Sequence, residues 1–123
     1  GAVALNFNVG VLVTANTLTV GGPIDDGAAT YSLTKSGGGT LVLAGANQYD
    51  GLTNLTAGVL TLNGDNSGAS GGVTMAATTT LNLGHAAALG AGIFTINGGT
   101  ISNSSGAGLT LTGAVAQIWN GDF

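Results

Sequence analysis

Six short segments of the chain place an apolar residue on either side of one other residue, and a glycine follows each segment within two positions. Leu41-Val42-Leu43, Leu60-Thr61-Leu62 and Leu81-Asn82-Leu83 show the pattern clearly. Alternation with a period of two is typical of β-strands, and the glycine indicates a corner or a tight turn. The segments begin 23, 19, 21, 13 and 15 residues apart. Self-similarity near 20 residues predicts an all-β repeat fold, a β-solenoid of about five to six coils.

In such a solenoid, the apolar residues of the six segments stack as internal rows and the glycines form corners. We interpret the longest step as a coil with a loop at Asp25-Asp26, and the short last steps as tighter coils. The predicted core residues are Leu18, Val20, Leu41, Leu43, Leu60, Leu62, Leu81, Leu83, Phe94, Ile96, Leu109 and Leu111. The predicted corner glycines are Gly21, Gly45, Gly64, Gly84, Gly98 and Gly113.

Between these segments the chain predicts further strands and two polar loops. Residues 24–29 contain Asp25, Asp26 and Gly27, and we expect them to form a loop that protrudes from its coil. Residues 63–72 consist of Gly, Ser, Asn, Asp and Ala and are predicted as a second polar loop. The remaining predictions are two strands in 3–14 with a bend near Gly10, one helical turn at 85–89, and late strands at 109–112 and 115–119.

Charge is almost absent from this sequence. It contains one Lys, no Arg and five Asp, so 5% of its residues are charged, whereas a typical soluble domain has about a quarter. The lack of basic side chains argues against binding to nucleic acid or to an anionic membrane surface. The absence of cysteine excludes a disulfide-stapled fold, and no apolar run approaches the roughly 18 residues of a membrane span. We therefore expect no membrane insertion of this segment.

One stretch resembles a known repeat. Residues 33–53 read Leu-Thr-Lys-Ser-Gly-Gly-Gly-Thr-Leu-Val-Leu-Ala-Gly-Ala-Asn-Gln-Tyr-Asp-Gly-Leu-Thr, and Gly58-Val59-Leu60-Thr61-Leu62 follows. This order resembles the autotransporter-associated β-strand repeat, also called the passenger-associated transport repeat. Leu52 departs from the pattern, which usually has a small or polar residue there. Residues 73–103, 109–123 and 1–22 resemble other segments of such proteins.

The resemblance implies a right-handed parallel β-helix, secreted or displayed on the bacterial cell surface, without a shared active site. Arrays of this kind serve as stalks, adhesins or scaffolds. In long members a Trp-Asn-Gly-Asp-Phe segment runs on into a further coil, so residues 1–123 resemble one module cut from a tandem or stacked array, with uncapped ends at Gly1 and Phe123. Its expected partner is therefore itself, through end-to-end stacking or tandem repeats.

Few residues offer chemistry. The single histidine, His85, and the lack of cysteine argue against a transition-metal site or a histidine-dependent nucleophile. Asp25 and Asp26 are the only adjacent carboxylates, and we interpret them as a solvated loop with a weak calcium site as the alternative. Lys35 is interpreted as a cap on a coil edge or the partner of one Asp. We predict no cofactor, no metal and no catalysis.

The functional prediction is a non-catalytic structural module that forms a rod, stalk or filament outside the bacterial cell. One alternative is an adhesin that binds glycans or a host surface through 24–30 and 63–72, and Tyr31, Tyr49 or Trp119 could then stack on a sugar. A polysaccharide-active enzyme is less favoured because the only cation is Lys35. An ice-binding solenoid, suggested by the Thr-x-Thr pairs at 17/19, 78/80 and 110/112, is less favoured because the pairs are unevenly spaced.

Overall fold

The computed structural model describes residues 1–113 and 116–121, and their regular secondary structure consists of strands that all pair in parallel. The all-β prediction is confirmed. The strands are β1 (Val3–Ala4), β2 (Val9–Leu12), β3 (Thr17–Val20), β4 (Ile24–Asp25), β5 (Leu33–Ser36), β6 (Thr40–Leu43), β7 (Thr53–Leu55), β8 (Val59–Leu62), β9 (Val73–Met75), β10 (Thr80–Leu83), β11 (Phe94–Ile96), β12 (Thr100–Asn103) and β13 (Gln117–Trp119).

The chain visits its sheets in a fixed order, so that each pass makes one coil of a parallel β-helix. The first sheet has six strands in the order β13-β11-β9-β7-β5-β2, and the second has five in the order β12-β10-β8-β6-β3. The segments that return from the second sheet to the first form a third wall, made of residues 21–32, 44–52, 63–72, 84–93 and 104–113. Within 1–113 and 116–121, β1 and β4 are the only strands that pair on this wall. From β2 to β13 the chain completes about five turns.

The register explains the uneven spacing seen in the sequence. On the second sheet the strands begin 23, 19, 21 and 20 residues apart, and Leu41 lies over Leu60, which lies over Leu81. Phe94 and Ile96 belong to the first sheet, where they lie over Val73 and Met75. The interpretation of the short steps as tighter late coils is therefore wrong, because those steps pass between different walls of one coil.

The interior consists of apolar rows that run along the column. Eight of the predicted core residues are buried, namely Leu41, Leu43, Leu60, Leu62, Leu81, Leu83, Phe94 and Ile96. Four are not: Leu18 is 45% exposed, Leu111 is 36% exposed, and Val20 and Leu109 are half-buried. Leu18 and Val20 occupy inward rows in the first coil, where no described coil covers them. Leu109 and Leu111 lie on the third wall, and the predicted strand at 109–112 is not formed.

Glycine is required where neighbouring coils bring their backbones together. A Cβ atom on Gly45 would collide with the backbone of Gly22, and one on Gly64 would collide with the backbone of Gly45. The predicted corner residue Gly21 directly follows β3 and precedes this column by one residue, and a Cβ there would meet nothing, so the close approach of coils does not require glycine at this position. Gly84 meets the side chain of Asn63 instead of a glycine. Gly98 lies in the corner between the two sheets, and Gly113 lies on the third wall.

The other local predictions are adjusted by the structure. The bend predicted near Gly10 lies in 5–8, because Gly10 is inside β2. Residues 85–89 form hydrogen-bonded turns without a helix, with the Ala88 N–H donating to the His85 carbonyl at 3.1 Å. In the predicted strand at 115–119, Gln117–Trp119 is a strand and Val115 lies outside the described residues. None of the described residues forms a helix long and apolar enough to cross a bilayer.

Candidate functional site

The two segments predicted as recognition loops are built into the third wall. Ile24 and Asn66 are buried in them, as is Asp26 at 6% exposure. The exposed side chains of 63–72 include Asp65 and Ser67. The prediction that 24–29 protrudes is therefore wrong for Ile24 and Asp26, and in both segments only part of the surface is available to a ligand.

Asp26 is a structural carboxylate. It accepts hydrogen bonds from the backbone N–H of Tyr31 at 2.8 Å and from that of Asp50 at 3.1 Å. Asp25 is exposed and accepts from the Gly27 N–H at 2.8 Å. The two carboxylates thus face different surroundings, and no group of three acidic, histidine or cysteine side chains able to hold a metal occurs among the described residues. The weak calcium assignment to Asp25 and Asp26 gains no support.

A buried amide ladder joins four coils on the third wall. The side-chain oxygen of Asn47 accepts from the Ile24 N–H at 3.0 Å. The Asn66 side-chain oxygen accepts from both the backbone and the side-chain nitrogen of Asn47, at 2.9 and 3.1 Å, and the Asn66 amide donates to the Ala88 carbonyl at 2.7 Å. Sequence reasoning missed these residues. The signal was a Gly-x-Asn motif repeated 19 residues apart, at Gly45-Ala46-Asn47 and Gly64-Asp65-Asn66.

Lys35 is fully buried, at 0% exposure, in the inward row that continues from Val11 to Leu55. Its ammonium donates to the carbonyls of Ser36, Gly37 and Ala57 at 3.0, 2.7 and 3.1 Å. Because Ala57 belongs to the next coil, the side chain clamps two coils together at the corner between the sheets. The sequence predicts a cap on a coil edge or a partner of one Asp, and the three contacts found are those of a cap, made to backbone carbonyls. Burial lowers the pKa of the amine.

The aromatic residues differ in accessibility. Tyr49 is buried, its hydroxyl contacts the Thr53 hydroxyl at 2.5 Å, and burial raises its pKa. Tyr31 is half-buried against the core. Trp119 is 58% exposed at one end of the column, and its indole N–H donates to the Gln117 side chain at 3.0 Å. Of the three proposed sugar-stacking residues, Trp119 alone presents most of its surface.

The other candidate residues, His85, Asp65 and the threonine pairs, have structural roles or lie on separate surfaces. His85 accepts a hydrogen bond from the Ala87 N–H at 3.1 Å. Asp65 accepts from the Ser67 N–H, which lowers the pKa of its carboxyl. The three Thr-x-Thr pairs do not share one surface, since Thr78 lies in a corner and Thr110 and Thr112 are outside any strand. Asp122 and Phe123, named in the sequence analysis, lie outside the described residues.

The two ends of the column are the surfaces with most exposed apolar side chains. At one end Phe7, Leu12 and Leu18 are exposed, and at the other Leu111, Ile118 and Trp119 are exposed. The edge strands at the ends are β2 and β3 on one side and β12 and β13 on the other. An edge strand presents unpaired backbone groups that can pair with a further strand. A further coil before or after the described residues would pair with these strands and extend both sheets.

Comparison with known proteins supports the resemblance found in the sequence. Residues 33–62 match the passenger-associated-transport-repeat family. Over 77 residues the chain is 40% identical to the adhesin BmaC autotransporter of Brucella suis biovar 1 (strain 1330), an alignment that covers 61% of the chain and 2% of that protein. The chain thus spans a very small part of its relative. No solved structure matches the chain.

Proposed function

Because residues 33–62 match the passenger-associated-transport-repeat family, we propose that the chain is a non-catalytic structural module of a bacterial protein displayed on the cell surface or released from it. Its role is mechanical: it extends a column whose coils are joined by parallel ladders on two walls. The observation that carries this proposal is the unbroken register of both sheets along the described column. In a column of this kind each coil supports only its neighbours, so length is gained by adding coils.

The internal clamps suit a load-bearing role. Lys35 ties its coil to the next through the Ala57 carbonyl, and the ladder through Asn47 and Asn66 ties four coils on the third wall. A coil cannot separate from its neighbour without breaking these buried hydrogen bonds, in addition to the ladder bonds. The polar residues of the interior thus strengthen the column along its axis.

Electron microscopy of the native full-length protein tests the proposal. Thin rods of constant width, attached to cells or shed from them, are expected. Dispersed globular particles would overturn it. Release of sugar products from polysaccharides by the purified protein would contradict the non-catalytic assignment.

Adhesion is a second candidate, because the relative bears the name of an adhesin. The surface for it is the exposed part of 63–72, where Asp65 and Ser67 face solvent. The double variant Asp65→Ala/Ser67→Ala leaves the buried Asn66 in place, so the wall is expected to stay folded. Loss of binding on a glycan or host-matrix array, with binding retained in the matched outer-face variant Thr95→Ala, would support adhesion through this loop. Unchanged binding in both variants would exclude the loop.

A further inference from the structure

We propose that a slot on the side of the column, formed by Leu52, Gly72 and Ile93, binds one ring of a neutral sugar whose substituents are all equatorial, such as β-linked glucose. The slot lies in the interior coils and is distinct from the surface of Asp65 and Ser67 considered above. It adds a binding site to the structural role and does not depend on rod formation.

The slot contains the exposed apolar side chains of the interior coils. Leu52 is 36% exposed and Ile93 is 51% exposed. Elsewhere in 1–113 and 116–121, the exposed large apolar side chains lie before residue 20 or after residue 110. Leu52 and Ile93 have a described coil on either side, so their exposure is a feature of the side of the column. Leu52 also stands where the repeat that this segment resembles usually has a small or polar residue.

Backbone hydrogen bonds place these side chains in one row. The carbonyls of Leu52, Gly72 and Ile93 accept from the first residues of β5, β7 and β9, at 3.0 Å in each case. Leu52 and Ile93 are therefore two coils apart, with Gly72 between them. Each precedes a buried residue, Thr53 or Phe94, and the alternation of a strand then directs Leu52 and Ile93 outward.

Gly72 leaves this row open between the two side chains. It has a φ of 81°, and a Cβ atom there would collide with the Ile93 carbonyl oxygen, so the backbone excludes a side chain. Two strand spacings separate the backbones of Leu52 and Ile93 by about 9.6 Å. A ring that touches aliphatic atoms on both faces needs about 7–8 Å, because each contact takes about 3.5–4.0 Å. The slot therefore has the width of one ring.

Two polar side chains flank the slot on the first sheet. Asn54 and Thr74 are partners in the ladder of β7 and β9, and each follows a slot residue by two positions on the outward face. The Asn54 amide nitrogen lies 3.5 Å from the Thr34 hydroxyl, a long and therefore weak hydrogen bond. The amide and the Thr74 hydroxyl offer donors and acceptors, and sugar hydroxyls use both.

A carboxylate flanks the slot on the third wall. Asp50 precedes Leu52 by two positions, and one of its oxygens accepts from the Ser70 hydroxyl at 2.7 Å. A carboxylate has about four lone-pair sites, so Asp50 can also accept from a sugar hydroxyl. The chain has no Arg, and its one lysine, Lys35, is fully buried. Since neither side chain is available to an anion, the ligand is expected to be neutral.

The size and shape of the slot favour a sugar over a protein partner. Leu52 and Ile93 together expose less surface than one fully exposed residue, whereas a stable protein interface buries about 800 Å² on each partner. A pyranose with equatorial substituents presents C–H groups on both faces and hydroxyls around its rim. Its faces fit the two aliphatic walls, and its rim meets Asn54, Thr74 and Asp50. An axial hydroxyl would be pressed against an aliphatic wall without a partner.

Cellotetraose, a neutral tetramer of β-1,4-linked glucose, is the probe. It is titrated into the nitrogen-15-labelled chain and followed by two-dimensional NMR. Contact with a single ring predicts a dissociation constant on the order of 1 mM. The signals that shift should be those of the slot and of Asn54 and Thr74. Absence of a saturable shift, or shifts confined to 65–67 or to the ends of the column, would overturn the proposal.

A matched sugar tests the orientation of the ring. β-1,4-Linked galactotetraose has the same size and charge, but each of its rings carries an axial oxygen at C4. We expect it to bind at least roughly fivefold more weakly than cellotetraose. Equal binding of the two tetramers would refute a ring held between two aliphatic walls.

Variants of the chain locate the site. Leu52→Ser/Ile93→Ser removes both walls at exposed positions and should weaken cellotetraose binding by roughly tenfold or more. Leu12→Ser is the control, because Leu12 is 68% exposed on the outward face of β2; its binding should equal that of the wild-type chain. Circular dichroism establishes that both variants fold. An equal loss in both would refute the slot. Rods in electron micrographs without cellotetraose binding would leave the structural function standing and refute this site alone.

Discussion

Replacing Lys35 by methionine tests the corner clamp directly. Methionine is close in length to lysine and suits an apolar row, so packing against Val11 and Leu55 is largely kept. The three carbonyls that hold the ammonium belong to the backbone and remain after the substitution. The change therefore removes one partner of a buried contact and leaves the other, which is the destabilising case.

The magnitude follows from the fate of each carbonyl. The Ser36 carbonyl still accepts a hydrogen bond from the Val13 N–H at 3.0 Å, so removing the Lys35 ammonium costs little stability at this carbonyl. The carbonyls of Gly37 and Ala57 lose the ammonium donor that they share, and each buried acceptor left unsatisfied costs about 1–3 kcal/mol of stability. The substitution also removes the cost of burying a charge, which offsets part of this loss. We expect the free energy of unfolding to fall by roughly 2–4 kcal/mol.

Urea denaturation followed by circular dichroism measures this change. The midpoint should fall while the slope stays constant, because the area exposed on unfolding is nearly unchanged. Leu55→Met is the matched control: it lies next to Lys35 in the same row, and a volume-conserving apolar exchange costs less than about 1.5 kcal/mol. If Lys35→Met is as stable as the wild-type chain, the carbonyl cage contributes no stability and the clamp is refuted.

Three further substitutions test other features. Thr78 is exposed and has a φ of 67°, so Thr78→Gly should relieve backbone strain of about 1–2 kcal/mol. The greater conformational entropy of glycine in the unfolded chain offsets about 0.5–1 kcal/mol of this gain. A melting temperature below that of the wild-type chain would contradict this prediction. Burial raises the pKa of Tyr49 above its usual 10.0. The unfolded chain therefore loses this proton first, and stability should fall as pH rises past 10.0 in the wild-type chain but less in Tyr49→Phe; parallel pH profiles would show that the hydroxyl is not the cause. Asn66→Leu removes three hydrogen bonds of the amide ladder and should cost roughly 2–4 kcal/mol, against a near-neutral Ser67→Ala control; equal midpoints in urea would refute the ladder's contribution.

The apolar pattern predicted the repeat and most of its interior because Leu41, Leu60 and Leu81 repeat at nearly one coil length. It did not predict that Phe94 lies on the first sheet or that Leu109 lies on the third wall. Alternation indicates a strand or an apolar segment, but it does not specify the wall on which that segment lies. The polar interior was missed for a different reason. A lysine or an asparagine is usually exposed, so burial of Lys35 and Asn66 depends on carbonyls that only the folded coils bring within reach.

The buried polar groups explain how stacked rows of leucine keep one register. Leu60 and Leu62 lie in adjacent inward rows, so a shift of one strand by two residues would still pack leucine on leucine. The amide ladder does not tolerate this shift, because Asn66 must meet Asn47 on one side and the Ala88 carbonyl on the other. Lys35 likewise reaches Ala57 only when the corners at 37–39 and 56–58 are aligned. Apolar rows therefore supply the driving force for stacking, and a few buried hydrogen bonds select the register. Asn66→Leu should consequently broaden the NMR signals of residues 44–52 even where the coils remain stacked.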